Sequence, residues 1–412
     1  MVAAIEAVWR IESARLIAGL ARLVGDVGTA EELAQDALVL ALEQWPEAGV
    51  PPNPGGWLMA TAKHRAIDLL RRRSTYQTKL ALIGRDLEQP TEPDLDDAID
   101  DVTGDDLLRL MFTACHPALS GDARVALTLR VLGGLRTDEI ARALLVPEST
   151  VAQRIVRAKR TLTGVALELP APQELGERLA AVLEVVYLIF NEGYSATAGD
   201  DWTRPELCQE ALRLGRILAG VAPDESEVHG LVALMELQAS RIPARTGADG
   251  APVLLPDQDR QRWDRLLIRR GLAALARAEE LGGGYRPYAL QAAIAACHAR
   301  AHTASDTDWT RIAALYEVLA LVSPSPIVEL NRAVAVGYAQ GPARGLEVLD
   351  AAATEKALGR YPHLPAVRGD LLARMGRVAE ARAEFERAAE LSQNLQERRL
   401  FLDRAAACHD GD

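Results

Sequence analysis

Apolar residues recur at three- and four-residue intervals along most of the 412-residue chain, a pattern that predicts helices almost throughout. Residues 3–24 set Ile5, Val8, Trp9, Leu16, Leu20 and Leu23 on one side and stop at Gly25. Thr29 and Glu32 have the spacing of a capping box, so a second helix is expected from Thr29 to about Trp45, ahead of Pro46. The proline and glycine content of residues 46–56 (PEAGVPPNPGG) predicts a loop. A third helix is expected to reach Arg73, with Trp57, Ala60, Ile67 and Leu70 as its apolar side.

The pattern breaks at residues 76–103. Asp86, Glu88, Glu92, Asp94, Asp96, Asp97, Asp100 and Asp101 crowd around Pro90 and Pro93, the composition of an exposed, self-repelling linker. The expected organisation is therefore a helical unit at 1–75, the acidic linker at 76–103 and a second unit at 104–165. A proline-bearing joint (LELPAPQEL) leads to a helical extension at 175–290 and repeats at 291–407.

Composition supports an all-α fold: Ala, Leu, Arg and Glu dominate, and aromatic residues are only 4% of the chain. A net charge of −12 excludes wholesale coating by nucleic acid, so any DNA contact must come from a local basic face. Cys115, Cys208, Cys297 and Cys408 are scattered without a C-x-x-C or a Cys/His cluster, which points to free thiols rather than a metal site. No cofactor is expected. No apolar run is long enough to span a membrane, so a cytoplasmic location is expected.

The segment LRTDEIARALLVPESTVAQRIVRAKRTL has the layout of a helix-turn-helix, with Thr137 expected to cap its first helix and Ile140, Ala141 and Leu144 facing inward. Pro147 suits the start of the second helix, and Val151, Ile155 and Ala158 recur at packing intervals. The other face offers Ser149, Thr150, Gln153, Arg154, Arg157, Lys159 and Arg160. Polar residues early in such a helix reach base edges, while later Arg and Lys hold phosphates. The third helix is basic as well, through Lys63, His64, Arg65, Arg71, Arg72 and Arg73.

Taken together, these segments resemble the two domains of an extracytoplasmic-function (ECF, group 4) RNA polymerase sigma factor. AEELAQDAL, residues 30–38, is similar to region 2.2 of that family, which docks on the β′ clamp helices of core RNA polymerase. The resemblance implies polymerase binding by Glu31, Glu32, Gln35 and Asp36. Residues 57–73 resemble regions 2.3 and 2.4, implying −10 DNA contacts by Trp57, Lys63, His64, Arg65, Arg71, Arg72 and Arg73. The helix-turn-helix resembles domain 4, implying −35 contacts by Ser149, Thr150, Gln153, Arg154, Arg157, Lys159 and Arg160. His64 stands where the family often has Asn, and the loop at 46–56 falls where an unpaired −10 base is captured.

PHLPAVRGDLLARMGRVAEARAEFERAAEL, residues 362–391, matches the tetratricopeptide pattern, with Gly369, Gly376, Ala381, Phe385 and Ala388 at its packing positions. Such repeats stack into a solenoid with a concave partner-binding surface. The strings LIFNEGYSATAGDD, ALMELQASRIPARTG and LLPDQDRQRWDRLL resemble the DUF6596-like extension of ECF42-type sigma factors. That resemblance implies control of sigma activity by the extension, with a small DGPF/YCII-like protein, or another ligand of the solenoid, as candidate partner.

Two other readings compete. An operator-binding regulator would use the helix-turn-helix with a tetratricopeptide sensor and would need neither the 30–38 helix nor the 57–73 helix. An enzyme would draw on Asn191, Glu192, Tyr194, Asp257, Asp259 and Arg260, but no activated nucleophile, metal spacing or phosphate loop accompanies them, and Asp257 reads as a helix cap. The charge contrast also suggests that the acidic linker or extension competes with DNA for the basic helices.

Overall fold

The computed structural model describes residues 2–83, 104–144, 146–171, 173–195, 202–247, 250–352, 358–359 and 361–408. The fold is all-α, as expected; among the described residues there is no strand, only one bridge between Thr246 and Pro252. Two compact units divide the chain, Met1–Val186 and Tyr187–Asp412.

The first unit opens with α1 (Val2–Val24), α2 (Val27–Ala48) and α3 (Pro54–Ile83), which pack on one another. Gly25, at φ 70°, turns the chain between α1 and α2. The cap of α2 is Asp26 rather than Thr29: its carboxylate accepts from the Thr29 N–H at 2.6 Å and from the Thr29 hydroxyl at 2.7 Å. Nor does α2 stop before Pro46. It runs on to Ala48, because Trp45 is buried and meets Trp57 edge-on at 5.3 Å, so tertiary packing outweighs the missing proline N–H in the last turn. The loop expected at 46–56 shrinks accordingly to residues 49–53.

Helix α3 begins at Pro54 and continues past residue 75 to Ile83, into the segment expected to be linker. Its buried stripe is Leu58, Ala62 and Ala66, whereas Ala60 is exposed and Trp57, Ile67 and Leu70 are half-buried. The acidic residues 86–101 lie outside the described residues.

Four shorter helices follow: α4 (Gly104–Ala114), α5 (Gly121–Val131), α6 (Thr137–Leu144) and α7 (Glu148–Leu162). Val151, Ile155, Ala158 and Leu162 of α7 are buried, and α7 packs on α5 and α6. Thr137 lies inside α6 rather than capping it; the preceding Arg136 N–H donates to Glu139 Oε2 at 2.8 Å. Helices α4 and α5 also touch α1, and Gly134 marks one such close approach. There φ is +65°, an added Cβ would stand 2.5 Å from Ser13 Oγ, and the Trp9 indole donates to the Gly134 carbonyl at 3.2 Å. Helix α8 (Leu175–Tyr194) belongs to this unit as far as Val186.

The second unit continues through α9 (Pro205–Val221), α10 (Ser226–Ala239), α11 (Arg265–Glu280) and α12 (Pro287–Arg300). Helix α10 is apolar nearly all round and is accordingly central, packing on α9, α11 and α12. Its one buried carboxylate, Glu236, faces Arg216 at 2.9 Å and Arg270 at 3.4 Å. Asp257 is no helix cap: it ends a short 3-10 turn, and the caps are Asp259 and Asp264, the latter accepting from the Leu266 N–H at 2.8 Å.

The rest is a succession of hairpins: α13 (Trp309–Val322), α14 (Pro326–Ala339), α15 (Pro342–Ala352), α16 (His363–Arg374), α17 (Val378–Leu391) and α18 (Leu395–Ala407). Small residues set their spacing. An added Cβ at Gly369 would meet the Phe385 ring at 2.9 Å, and one at Gly345 would meet the Ala333 carbonyl at 2.8 Å.

Candidate nucleic-acid interface

Helix α7 exposes Ser149, Gln153, Arg157 and Arg160 opposite its buried stripe, with Thr150, Arg154 and Lys159 half-buried. The amphipathic split expected from the sequence is therefore present. Gln153 stands in the second turn of α7 and is exposed, as pairing with a base edge requires.

The half-buried cations are engaged by carboxylates of the same unit. Arg154 meets Asp122 of α5 at 2.6 Å. Lys159 is paired with Glu31 of α2, and the other oxygen of that carboxylate takes the Arg130 Nε–H at 2.8 Å. Gln35 also donates to Glu31. Glu31 is consequently only 3% exposed, although the sequence resemblance makes it a polymerase contact. Further ties link α1 to the start of α6: Arg10 to Glu139 at 2.9 Å and Arg136 to Glu6 at 3.2 Å.

The remaining expected polymerase residues are open. Glu32 and Asp36 are exposed and Gln35 is half-buried, with Asp36 meeting Arg65 of α3 at 2.5 Å. On the same helix Val39 and Leu42 keep 51% and 39% of their surface in solvent. They line a cleft of about 520 Å³ with Trp9, Gln35, Leu38 and Arg130. Sequence reasoning missed this apolar strip, whose signal was present: positions 35, 38, 39 and 42 share one side of a helix, distinct from the buried stripe Ala30, Ala34, Ala37, Ala41.

On α3, His64, Arg71 and Arg72 are exposed and Lys63 and Arg65 are half-buried; the side chain of Arg73 lies outside the described residues. His64 Nδ1 is held 2.8 Å from the Ala60 carbonyl, so Nε2 is the ring atom left for an outside partner. Trp57 is fixed against Trp45 rather than free.

The residues considered for an enzyme site do not converge. Glu192 is paired with Arg204, while Tyr194 lies beneath Arg245, whose Cζ stands 3.7 Å from its ring centroid. Arg260 is buried and donates to the His298 carbonyl at 2.5 Å and the Ala301 carbonyl at 3.0 Å. Burial pushes the thiols of Cys115 and Cys208 up, to about 11 and about 12, the opposite of an activated nucleophile. Among the described residues no helix is long and apolar enough to cross a membrane.

Comparison with known proteins places these surfaces. Residues 11–76 match Sigma-70 region 2 and residues 109–162 match Sigma-70, region 4. Residues 178–279 match a family of unknown function, DUF6596. An uncharacterised protein of Rhizobium meliloti is 42% identical over 400 residues, covering 94% of this chain and 92% of the relative. A probable ECF RNA polymerase sigma factor, SigI of Mycobacterium tuberculosis, is 28% identical over 38% of this chain, and the match spans 54% of its own length. The ECF RNA polymerase sigma factor SigK of Mycobacterium bovis is 29% identical over 34% of this chain and 74% of its own length.

Proposed function

The chain belongs to the family of the Rhizobium meliloti protein and is an ECF-like sigma factor; we propose that it binds core RNA polymerase and directs initiation at promoters whose −10 and −35 elements it reads. The observation that carries this reading is the presence, in one unit, of two exposed basic helix faces on α3 and α7 beside the apolar strip of α2. An operator binder needs only α7. Two DNA-reading helices and a protein-docking strip are what a promoter-melting subunit of polymerase requires.

In this assignment Glu32, Gln35 and Asp36, with Val39 and Leu42, meet the β′ clamp helices, whereas Glu31, expected among them, is turned inward to Arg130 and Lys159. Lys63, His64, Arg65, Arg71, Arg72 and Arg73 hold −10 DNA beside Trp57. Ser149, Thr150 and Gln153 read −35 bases, while Arg154, Arg157, Lys159 and Arg160 hold the flanking phosphates. Strand separation is driven by binding energy, with no chemical step, and the work is done in the cytoplasm.

The extension is of the ECF42 type, a DUF6596 segment followed by tetratricopeptide-like hairpins. It controls sigma activity from within the chain, with a small DGPF/YCII-like protein as a candidate partner. The phenylalanine-on-glycine contact of Phe385 and Gly369 supports the repeat assignment.

Co-elution of the full chain with core polymerase tests the reading. Gln35→Ala with Asp36→Ala should weaken that complex, and Val39→Asp should abolish it. A chain that binds promoter DNA tightly but never joins core polymerase is an operator binder instead.

A further inference from the structure

The second unit holds a cavity of about 630 Å³, bounded by α12, α13, α14, α16 and α18 and by residues 254–256 and 304–307. Most of its wall is apolar, through Leu255, Val334, Val367, Leu371 and Phe401. The charged groups on the wall are unbalanced: three arginines, Arg260, Arg374 and Arg404, face one carboxylate, Asp370. Arg404 is paired with Asp370. Among the described residues, neither Arg260 nor Arg374 has a carboxylate within ion-pair distance.

Both arginines are held in place by neutral groups, and the Asp306 carboxylate is near enough to Arg260 to act on its charge. Arg260 is 8% exposed, its donors go to neutral oxygens, and its Nε has no hydrogen-bond partner among the described residues. Arg374 is exposed, donates to the Gly337 carbonyl at 2.9 Å, and lies over Tyr338 with its Cζ 4.2 Å from the ring centroid. Tyr338 is in turn stacked on Trp309 at 4.2 Å and 11°. The two histidines on the wall add no charge near neutral pH. Burial and the nearby Arg241 and Arg260 depress His298 to about 3, and burial holds His363 below the ordinary histidine range.

A largely apolar cavity of small-molecule size, with the exposed Arg374 at its edge making no ion pair among the described residues, suits an anion with an apolar body. We propose that this cavity is the binding site for a small organic acid, its acidic group on Arg374 and its apolar body among Val334, Val367, Leu371 and Phe401. The preorganised stack of Trp309, Tyr338 and Arg374 means that little side-chain freedom is lost on binding. This site stands independently of the sigma reading, since it lies wholly within the second unit.

The probe is 1-anilinonaphthalene-8-sulfonate, an aromatic body with one sulfonate, titrated by fluorescence into the full chain. Its neutral relative N-phenyl-1-naphthylamine is run alongside. Saturable binding of the anion is expected, with Arg374→Gln weakening it about tenfold, Arg374→Lys largely sparing it, and the neutral probe indifferent to both. Asp370→Asn frees Arg404 and should tighten the anion several-fold, a gain that misfolding does not produce. Val334→Trp fills the space and should remove both probes while the melting transition persists. Anion binding that survives Val334→Trp, or that is unmoved by Arg374→Gln and Asp370→Asn, overturns the proposal.

Discussion

The Arg130 guanidinium donates to Glu31 at 2.8 Å, joining two residues that stand 99 positions apart in the chain. Lys159 of α7 takes the other oxygen. One carboxylate thus ties α2 to α5 and α7, and Lys159 must leave it before it can hold a phosphate. Glu31→Gln removes the charge and leaves Lys159 and Arg130 half-buried without it. The expected outcome is a looser first unit, with a stability loss on the order of 1–3 kcal/mol, and tighter DNA binding by the free chain at low salt. Thermal melting and a filter-binding titration read the two effects; DNA affinity unchanged or reduced in the variant would contradict the tie.

The split on α7 gives a second prediction. Gln153→Ala should cost about 1–3 kcal/mol of discrimination at one −35 position, leaving affinity for unrelated DNA and for polymerase unchanged. Arg157→Ala should weaken all sequences alike and lower the salt slope of binding by about one. Titrations against matched and mismatched duplexes at several salt concentrations separate the two behaviours. Identical profiles for both variants would mean that α7 reads no bases.

Acid should weaken the second unit through His298. Burial and two arginines hold its folded-state value at about 3, against an ordinary 6.5. Between those values the unfolded chain takes up a proton that the folded chain refuses, so stability is full above about pH 6.5 and falls as the pH drops toward 3. Each pH unit in that window removes up to about 1.4 kcal/mol. Denaturant melts from pH 7.5 to 4.5 should show the decline, and His298→Gln should flatten it.

Gly345→Ala tests the hairpin spacing. Its Cβ would press on the Ala333 carbonyl and on the Gly337 Cα, both at 2.8 Å and both backbone, so α14 and α15 must part. A loss of about 1–3 kcal/mol is expected from overpacking, measured by urea denaturation. Gly341→Asn, at φ +101° with open space around it, should lose stability through backbone strain alone, leaving the spacing of α14 and α15 unchanged.

Local periodicity made the helices, the amphipathic split of α7 and the basic face of α3 legible in the sequence. What it misjudged was settled by tertiary packing or by a competing cap residue nearby. The burial of Trp45 against Trp57 carried α2 past Pro46, and the nearer Asp26 displaced Thr29 as cap. The apolar side of α3 was read from Trp57, Ala60 and Ile67, whereas α1 and α2 bury Leu58, Ala62 and Ala66. Competition for the basic helices was expected from the acidic linker or extension. Glu31, Asp36 and Asp122, from α2 and α5, meet Lys159, Arg65 and Arg154 of those helices, and the acidic linker lies outside the described residues. No sequence pattern announces a pairing such as Glu31 with Lys159, because 128 residues separate the two.

Run-off transcription with purified core polymerase addresses the central claim most directly, using the full chain on DNA that it binds. A discrete transcript from one start site is expected, lost on Gln153→Ala or on mutation of the −35 bases and absent with core polymerase alone. The absence of any promoter-specific transcript, with DNA binding intact, would contradict the account.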